Sequence, residues 1–383
     1  MRILIVSNMD ATHPYGAWTR PYYLGRALAQ TNDVFQVGFD CSDVTYGPSI
    51  SVHTKTIPAY IRAIRQAKAE FEPDIVYAHE TFPGVAAWLS SKLKPDSDDS
   101  HLVLDFHAAS AHEYKTMFNH YDSRIRALLL FTKSYWPQRF IAVRGGPIIT
   151  ASQELKSLVS DWYHVSEKWI HVVPNGAPLE FLDQEMYPSS PYPEGIRTAL
   201  AVAPNNMMAN VLSVRFILQV AEALVHLSTD SRLKLVVAGG GWQKDQIENY
   251  PNIVYLGFVD DLLPYIDHAD VCLLPFPRVA VCGGARNKAL DYFARGKLVL
   301  STVEGLRGLS CFKHSEQVLI SSDDPMEFSR DLLTVANCRE SYDHLGENAC
   351  TLVRGKYTWQ HSAAKVLSFF TQLLENESVV HDR

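Results

Sequence analysis

Residues 271–310 read VCLLPFPRVAVCGGARNKALDYFARGKLVLSTVEGLRGLS. The apolar run 271–274 ends at Pro275 and is too short for a helix. Its aliphatic character fits a strand buried on both faces. A loop with Gly283 and Gly284 follows. Residues 286–295 then carry apolar side chains at helical spacing, and Gly296 supplies the stop. The next aliphatic run, 298–300, reads as a strand again. Strand, loop, helix, strand is the repeating unit of a parallel sheet with crossover helices.

The same alternation extends in both directions. Short runs at 3–6, 75–78, 102–104, 148–150 and 170–173 precede a second set at 198–202, 233–238, 253–256, 271–274 and 298–300. Helical patterns at 20–30, 60–70, 211–226 and 286–295 lie between them. The stretch 174–195, PNGAPLEFLDQEMYPSSPYPEG, is rich in proline and has neither period, so it is read as an interdomain connection. About five strands on each side predict two doubly wound Rossmann-like α/β domains, 1–176 and 196–357, facing across a cleft. Open sheets of this kind bind ligands beyond the carboxyl ends of their strands. The site is therefore expected in loops that follow strands.

The 383 residues are 47% hydrophobic and 20% charged, an ordinary globular balance. The net charge of −7 argues against a general nucleic-acid binder. The six cysteines form no CxxC pair, which points to free thiols and a reducing, cytoplasmic compartment. The run 3–6 is too short for a signal peptide, and no uncharged apolar stretch approaches the length of a bilayer span. There is no GxxxxGK[ST] loop, Gly239-Gly240-Gly241 is not a dinucleotide fingerprint, and HAASAHE at 107–113 is not HExxH.

The chemistry concentrates at 283–291. Paired glycines before a helix leave backbone N–H groups open to an anion, and the helix dipole favours one there. Arg286 and Lys288 oppose that dipole at a cost of about 0.3–1 kcal/mol each when exposed. A bound diphosphate would offset that cost. Asp291 lies one turn beyond Lys288 on the same face, where a carboxylate suits two ribose hydroxyls. An ordinary basic helix start after a flexible loop is the alternative.

Taken in order, these segments resemble the family 4 glycosyltransferases, also called glycosyl transferases group 1. Residues 253–310 are similar to that family's nucleotide-sugar half. Residues 15–29 resemble its glycine loop and first helix, 74–79 its "PDVVHAH" strand, and 102–113 its strand ending in a histidine. Residues 148–176 are similar to its segment from "SE" to "PNG", and 359–374 to its last helix. The resemblance implies the GT-B fold. The 358–383 helix would pack back on the acceptor-side domain 1–176, with 177–195 connecting to the donor domain 196–357. It implies transfer of a sugar from a UDP-, GDP- or dTDP-linked donor to a glycan, lipid-linked or small-molecule acceptor. Retention at the anomeric carbon is the expected course, and no metal or other cofactor is implied.

The resemblance also assigns residues. His107 is implied to reach the donor sugar from the acceptor side, with Asp105 or Glu113 as the base if the reaction inverts. Gly16 is implied to approach the donor through its backbone. The donor site is implied at Asn206, Gly283, Gly284, Arg286, Asn287, Lys288 and Asp291. Two departures stand out. The family's E-x7-E donor signature is here Gly283 and Asp291, closer to its Gly-Gly-x-x-x-Lys form. Where many relatives hold the diphosphate with Arg and Lys, this chain has 203–210, APNNMMAN, without a cation. Arg286 and Lys288 are the substitutes at hand.

Residues 115–144 carry six basic side chains against the single acid Asp122, interleaved with aromatic and aliphatic residues. Such a run suits either a helix on an anionic membrane face or a packed helix with a solvated side. A nucleotide-sugar epimerase of the same fold and a non-catalytic nucleotide-sugar binder are the alternative functions.

Overall fold

The computed structural model describes residues 1–10, 19–41, 44–92, 100–228 and 232–375. The chain divides into two compact units. The first comprises Met1–Lys115, Ile125–Gly176 and Thr358–Arg383, and the second Thr116–Arg124 and Ala177–Tyr357.

The first unit is built on a seven-stranded parallel sheet. Its strands are β1 (Arg2–Asp10), β2 (Asp33–Phe39), β3 (Ser49–Val52), β4 (Ile75–His79), β5 (His101–Phe106), β6 (Ile148–Thr150) and β7 (Ile170–Val172), in the order β3-β2-β1-β4-β5-β6-β7. Every side chain of β4 is buried, as a strand covered on both faces requires. The helix Trp359–Glu375 returns from the end of the chain to this unit. Trp359 stacks on Tyr23, and Phe370 meets the edge of Tyr77. The start of that helix crosses Gly176 so closely that a Cβ there would lie 2.3 Å from backbone atoms of Thr358 and Trp359. Only glycine tolerates such an approach, which accounts for the last letter of the PNG segment.

The second unit carries a six-stranded parallel sheet. Its strands are β8 (Arg197–Val202), β9 (Leu233–Ala238), β10 (Ile253–Gly257), β11 (Val271–Leu274), β12 (Val299–Thr302) and β13 (Leu319–Ser321), in the order β10-β9-β8-β11-β12-β13. The strand order reverses between β8 and β11, which makes their carboxyl ends the topological switch point. The triple glycine after β9 is a tight turn. Gly239 has φ +132, and a Cβ there would meet Pro204 at 2.5 Å.

All ten runs read from the sequence fall on strands, with Val173 and Leu298 one residue outside β7 and β12, and three further strands, β2, β3 and β13, are present. β2 carries Gln36, which is buried only because it bonds to Ser7 and Tyr46. β3 and β13 are short edge strands. The proline-rich stretch also holds more structure than its composition suggests. It contains the helix Leu179–Asp183, and the Tyr187 N–H donates to Asp267. All six cysteines are unpaired. One described helix, Met208–Leu227, is long and apolar enough to cross a membrane. It includes Arg215 and Glu222, and Phe216, Ile217, Val220 and Leu224 lie in the core of the second unit.

Candidate active site

In the first unit the chemistry gathers at the carboxyl ends of two neighbouring strands. His79 closes β4 opposite Asp105 of β5, and Glu80 and His107 are the first residues beyond the two strands. Asp105 is wholly buried. Arg20, from the Thr19–Leu28 helix, grips it with Nε and Nη2 at 2.9–3.1 Å, and Tyr77 donates its hydroxyl to the same carboxylate. The remaining Arg20 nitrogen donates to Asn175 at 2.8 Å. Burial alone would raise the Asp105 pKa, but the Arg20 charge overrides it and holds the group at about 2.

His107 lies at the mouth of this cluster, with 13% of its side chain exposed. Its backbone N–H donates to Glu80 Oε1 at 2.8 Å, while the Glu80 N–H donates to the Asp105 carbonyl at 2.8 Å. Its Nε2 is 3.1 Å from Nδ1 of the buried His79, and its Nδ1 is 3.7 Å from Glu80 Oε1. Burial pushes both imidazoles down against the pull of Asp105, His79 to about 3 and His107 to about 4, so both are neutral at pH 7. Burial pushes Glu80 up to about 8, with the His107 N–H working the other way. Glu80 has φ +73, a left-handed conformation uncommon outside glycine, and such strain gathers at functional sites.

His79, Asp105 and His107 bring three metal-type donors within 4.8 Å of one another. They do not suit a divalent ion, because Arg20 and Tyr77 already occupy the carboxylate and the guanidinium opposes a second cation. In the same geometry the Asp105 carboxylate, expected as a possible general base, is wholly buried and already accepts from Arg20 and Tyr77. Glu113, in the short helix Ser110–Thr116, is also buried and lies near Glu80 and Tyr163. Gly16 lies outside the described residues.

In the second unit the helix Asn287–Ala294 begins after the glycine loop, with Arg286 as its N-cap. The two cations have different surroundings. Lys288 crosses the switch point to donate to the Val202 carbonyl at 2.5 Å and to Asn210 Oδ1 at 3.2 Å. Asn210 donates in turn to the exposed Asn206 at 3.0 Å. Lys288 therefore delivers its charge to the 203–210 segment that lacks a cation. Burial, and then repulsion from Arg286, lower its pKa to about 7. Asp291 is half-buried on the same helix, and burial raises it to about 7 against the attraction of Lys288.

Arg286 is turned under the loop instead. Its guanidinium lies 3.4 Å from the centre of the Phe276 ring, donates to the Ala280 carbonyl at 2.8 Å and approaches Glu304 at 3.5 Å. Glu304 is buried, accepts from Arg307 at 2.8–2.9 Å, and takes the Cys282 N–H. Arg286, expected beside Lys288 at the diphosphate, braces the loop here and shares the Glu304 carboxylate with Arg307. Gly283 and Gly284 are buried in that loop, and Asn287 opens the helix half-exposed.

Sequence reasoning did not single out Arg20, Tyr77, His79, Glu80, Asn175 or Glu304 as site residues. Their signal was position alone, since each but Tyr77, which lies mid-strand in β4, follows or ends a strand or opens a helix.

Two family models match this chain. Residues 20–181 match Glycosyltransferase Family 4, and residues 199–337 match Glycosyl transferases group 1. No protein of curated function matches the sequence. Among solved structures, sucrose-phosphate synthase from Thermosynechococcus elongatus is similar over 98% of this chain and 99% of its own, with TM-score 0.75 and 15% identity. A glycosyltransferase from Rickettsia africae covers 98% and 99%, with TM-score 0.71 and 14% identity. HepE from Anabaena, solved with UDP and glucose, covers 97% and 100%, with TM-score 0.72 and 12% identity.

Proposed function

This chain is a glycosyltransferase of the GT-B fold, with the family 4 and group 1 domains in its two halves, and we propose that Lys288 is the cation that receives the donor's diphosphate. The observation that carries this reading is the Lys288 side chain at the switch point between β8 and β11. Its bonded partners are a neutral carbonyl and an amide, and a bound anion would raise its pKa from about 7 and hold it charged. Asp291, one turn on, faces the ribose hydroxyls, and Gly283, Gly284 and Asn206 line the same approach. HepE, similar across the whole chain, was solved with UDP and with UDP-glucose. That supports a nucleoside-diphosphate sugar as donor.

His107 hydrogen-bonds the sugar during transfer, and the anomeric configuration is retained. A neutral, partly exposed imidazole beside a wholly engaged Asp105 supports this reading over a carboxylate base. The acceptor is lipid-linked or lies at an anionic membrane face. The helix Arg124–Arg144 supports that, because Ile125, Leu128, Leu129, Trp136, Phe140 and Val143 are exposed on it, Ile125 by 73% and Trp136 by 60%. Arg124, Arg126, Lys133 and Arg144 are exposed on the same helix.

The test is nucleoside-diphosphate binding by calorimetry. Lys288→Ala should weaken it by about 1.5–3 kcal/mol, the scale of a charged hydrogen bond. Unchanged affinity would remove Lys288 from the site. Donor turnover measured with and without added acceptor separates transfer from epimerisation or simple binding.

A further inference from the structure

Among the described residues, Nε2 of His79 is a buried polar atom with no hydrogen-bond partner. The ring itself is fully buried, and its other nitrogen, Nδ1, lies 3.1 Å from Nε2 of His107. Among the described residues, the charged and titratable groups around the pair are Asp105, 4.0 Å from His79 and 3.7 Å from His107, then Glu80, Tyr77 with its ring centre 4.3 Å from that of His79, and Arg20 behind Asp105. Two neutral imidazoles facing each other share one proton, and two arrangements are possible. If His107 donates from Nε2, His79 must carry its own proton on Nε2, where it would be a buried N–H with nothing to accept it. If His79 donates from Nδ1, its Nε2 is only an unused acceptor. Orphaned buried donors are rare, while under-used acceptors are tolerated more readily. The second arrangement is therefore favoured.

We infer that His79 is a positioning residue for sugar transfer: by donating to His107 Nε2 it fixes His107 as the Nδ1–H tautomer and leaves Nδ1–H as the one proton His107 offers a ligand. Among the described residues that proton has no partner within hydrogen-bond distance, since Glu80 Oε1 stands 3.7 Å away. A sugar hydroxyl or the leaving oxygen would take it. Burial keeps both rings neutral at working pH, so the arrangement persists there. Glu80 completes the frame by holding the His107 backbone.

The inference rests on His107 serving the transfer step, and its test reads the two claims separately. Full-length protein labelled with nitrogen-15 at histidine reports each ring's tautomer without substrate, and His107→Gln identifies the signal. The expected result is a neutral Nδ1–H form for His107 at pH 7. His79→Phe, which keeps an aromatic ring but no donor, should shift that signal towards the Nε2–H form. It should also lower kcat about tenfold or more with little change in donor KM. His79→Gln, whose amide can still donate, should recover most of both, and it keeps the test open if the Phe variant does not fold. An Nε2–H form for wild-type His107, or His79→Phe with wild-type tautomer and kcat, would overturn the assignment. A His107→Gln enzyme with wild-type kcat would remove the transfer reading, and with it the catalytic meaning of His79, whatever the tautomer.

Discussion

Asp105 takes both its charge and its rigidity from Arg20, and the two consequences can be measured apart from catalysis. The pair is buried on both sides. Removing one partner of such a pair leaves an uncompensated charge, a loss of about 3–5 kcal/mol. Asp105→Asn should therefore lower the unfolding free energy by that order in a denaturant titration. Stability near wild type with activity lost would instead make Asp105 a reacting group. Glu80 gives a second test. Its folded pKa, about 8, lies above the ordinary carboxylate value, so between pH 4.5 and 8 the native state binds more protons than the unfolded one. Stability from this group is thus lost as pH rises through that window, by up to about 1.4 kcal/mol per unit. Glu80→Gln should match wild type near pH 5 and gain on it steadily towards pH 8. Parallel stability curves would rule out the raised pKa. At this scale the sequence was half legible. Lys288 and His107 stood out by spacing and family likeness. The groups that frame Asp105 did not, because Arg20 and Tyr77 reach it, and Asn175 reaches Arg20, from distant points of the chain.

Elements were easier to read where burial on both faces writes an unbroken aliphatic run. β2 escaped because a buried glutamine interrupts it, and β3 and β13 because an edge strand need not be apolar throughout. The helix Arg124–Arg144 was legible as basic and aromatic, yet the sequence left open which face it turns outward. Its packed side is Ala127, Gln138, Ile141 and Ala142, so most of the larger apolar residues point away from the core. Each exposed cation near an anionic bilayer contributes about 1 kcal/mol, an attraction that salt screens over about 8 Å under physiological conditions. The protein should float with anionic vesicles at low salt and leave them at high salt. Replacing Leu128, Leu129 and Trp136 together with serine should weaken flotation even at low salt, because the apolar contact survives screening. A protein that stays behind with either lipid at low salt would make this helix an ordinary surface helix.

Two units with separate cores make the molecule more than one cooperative system. The cores around Leu4, Val76 and Leu104, and around Ile5, Tyr77 and Phe370, belong to the first unit, and those around Leu274 and Phe293, and around Ile217 and Leu235, to the second. The sequence showed this duality through the aperiodic stretch at 174–195. It did not show that Thr116–Arg124 groups with the second unit, since that segment carries no boundary signal of its own. Chains of this kind depart from two-state unfolding, so a calorimetric scan should resolve two transitions. A nucleoside diphosphate held only by the Lys288 and Asp291 region stabilises the unit that binds it. At 100 times its dissociation constant the gain is about 2.7 kcal/mol, which raises the midpoint of a unit this size by about 5–10 °C. One transition should move by that amount while the other stays near its ligand-free position, and Lys288→Ala should abolish the shift. If the diphosphate moved the transition of the first unit instead, identified by its sensitivity to Asp105→Asn, the donor would belong to the histidine side of the enzyme and the roles of the two halves would be reversed.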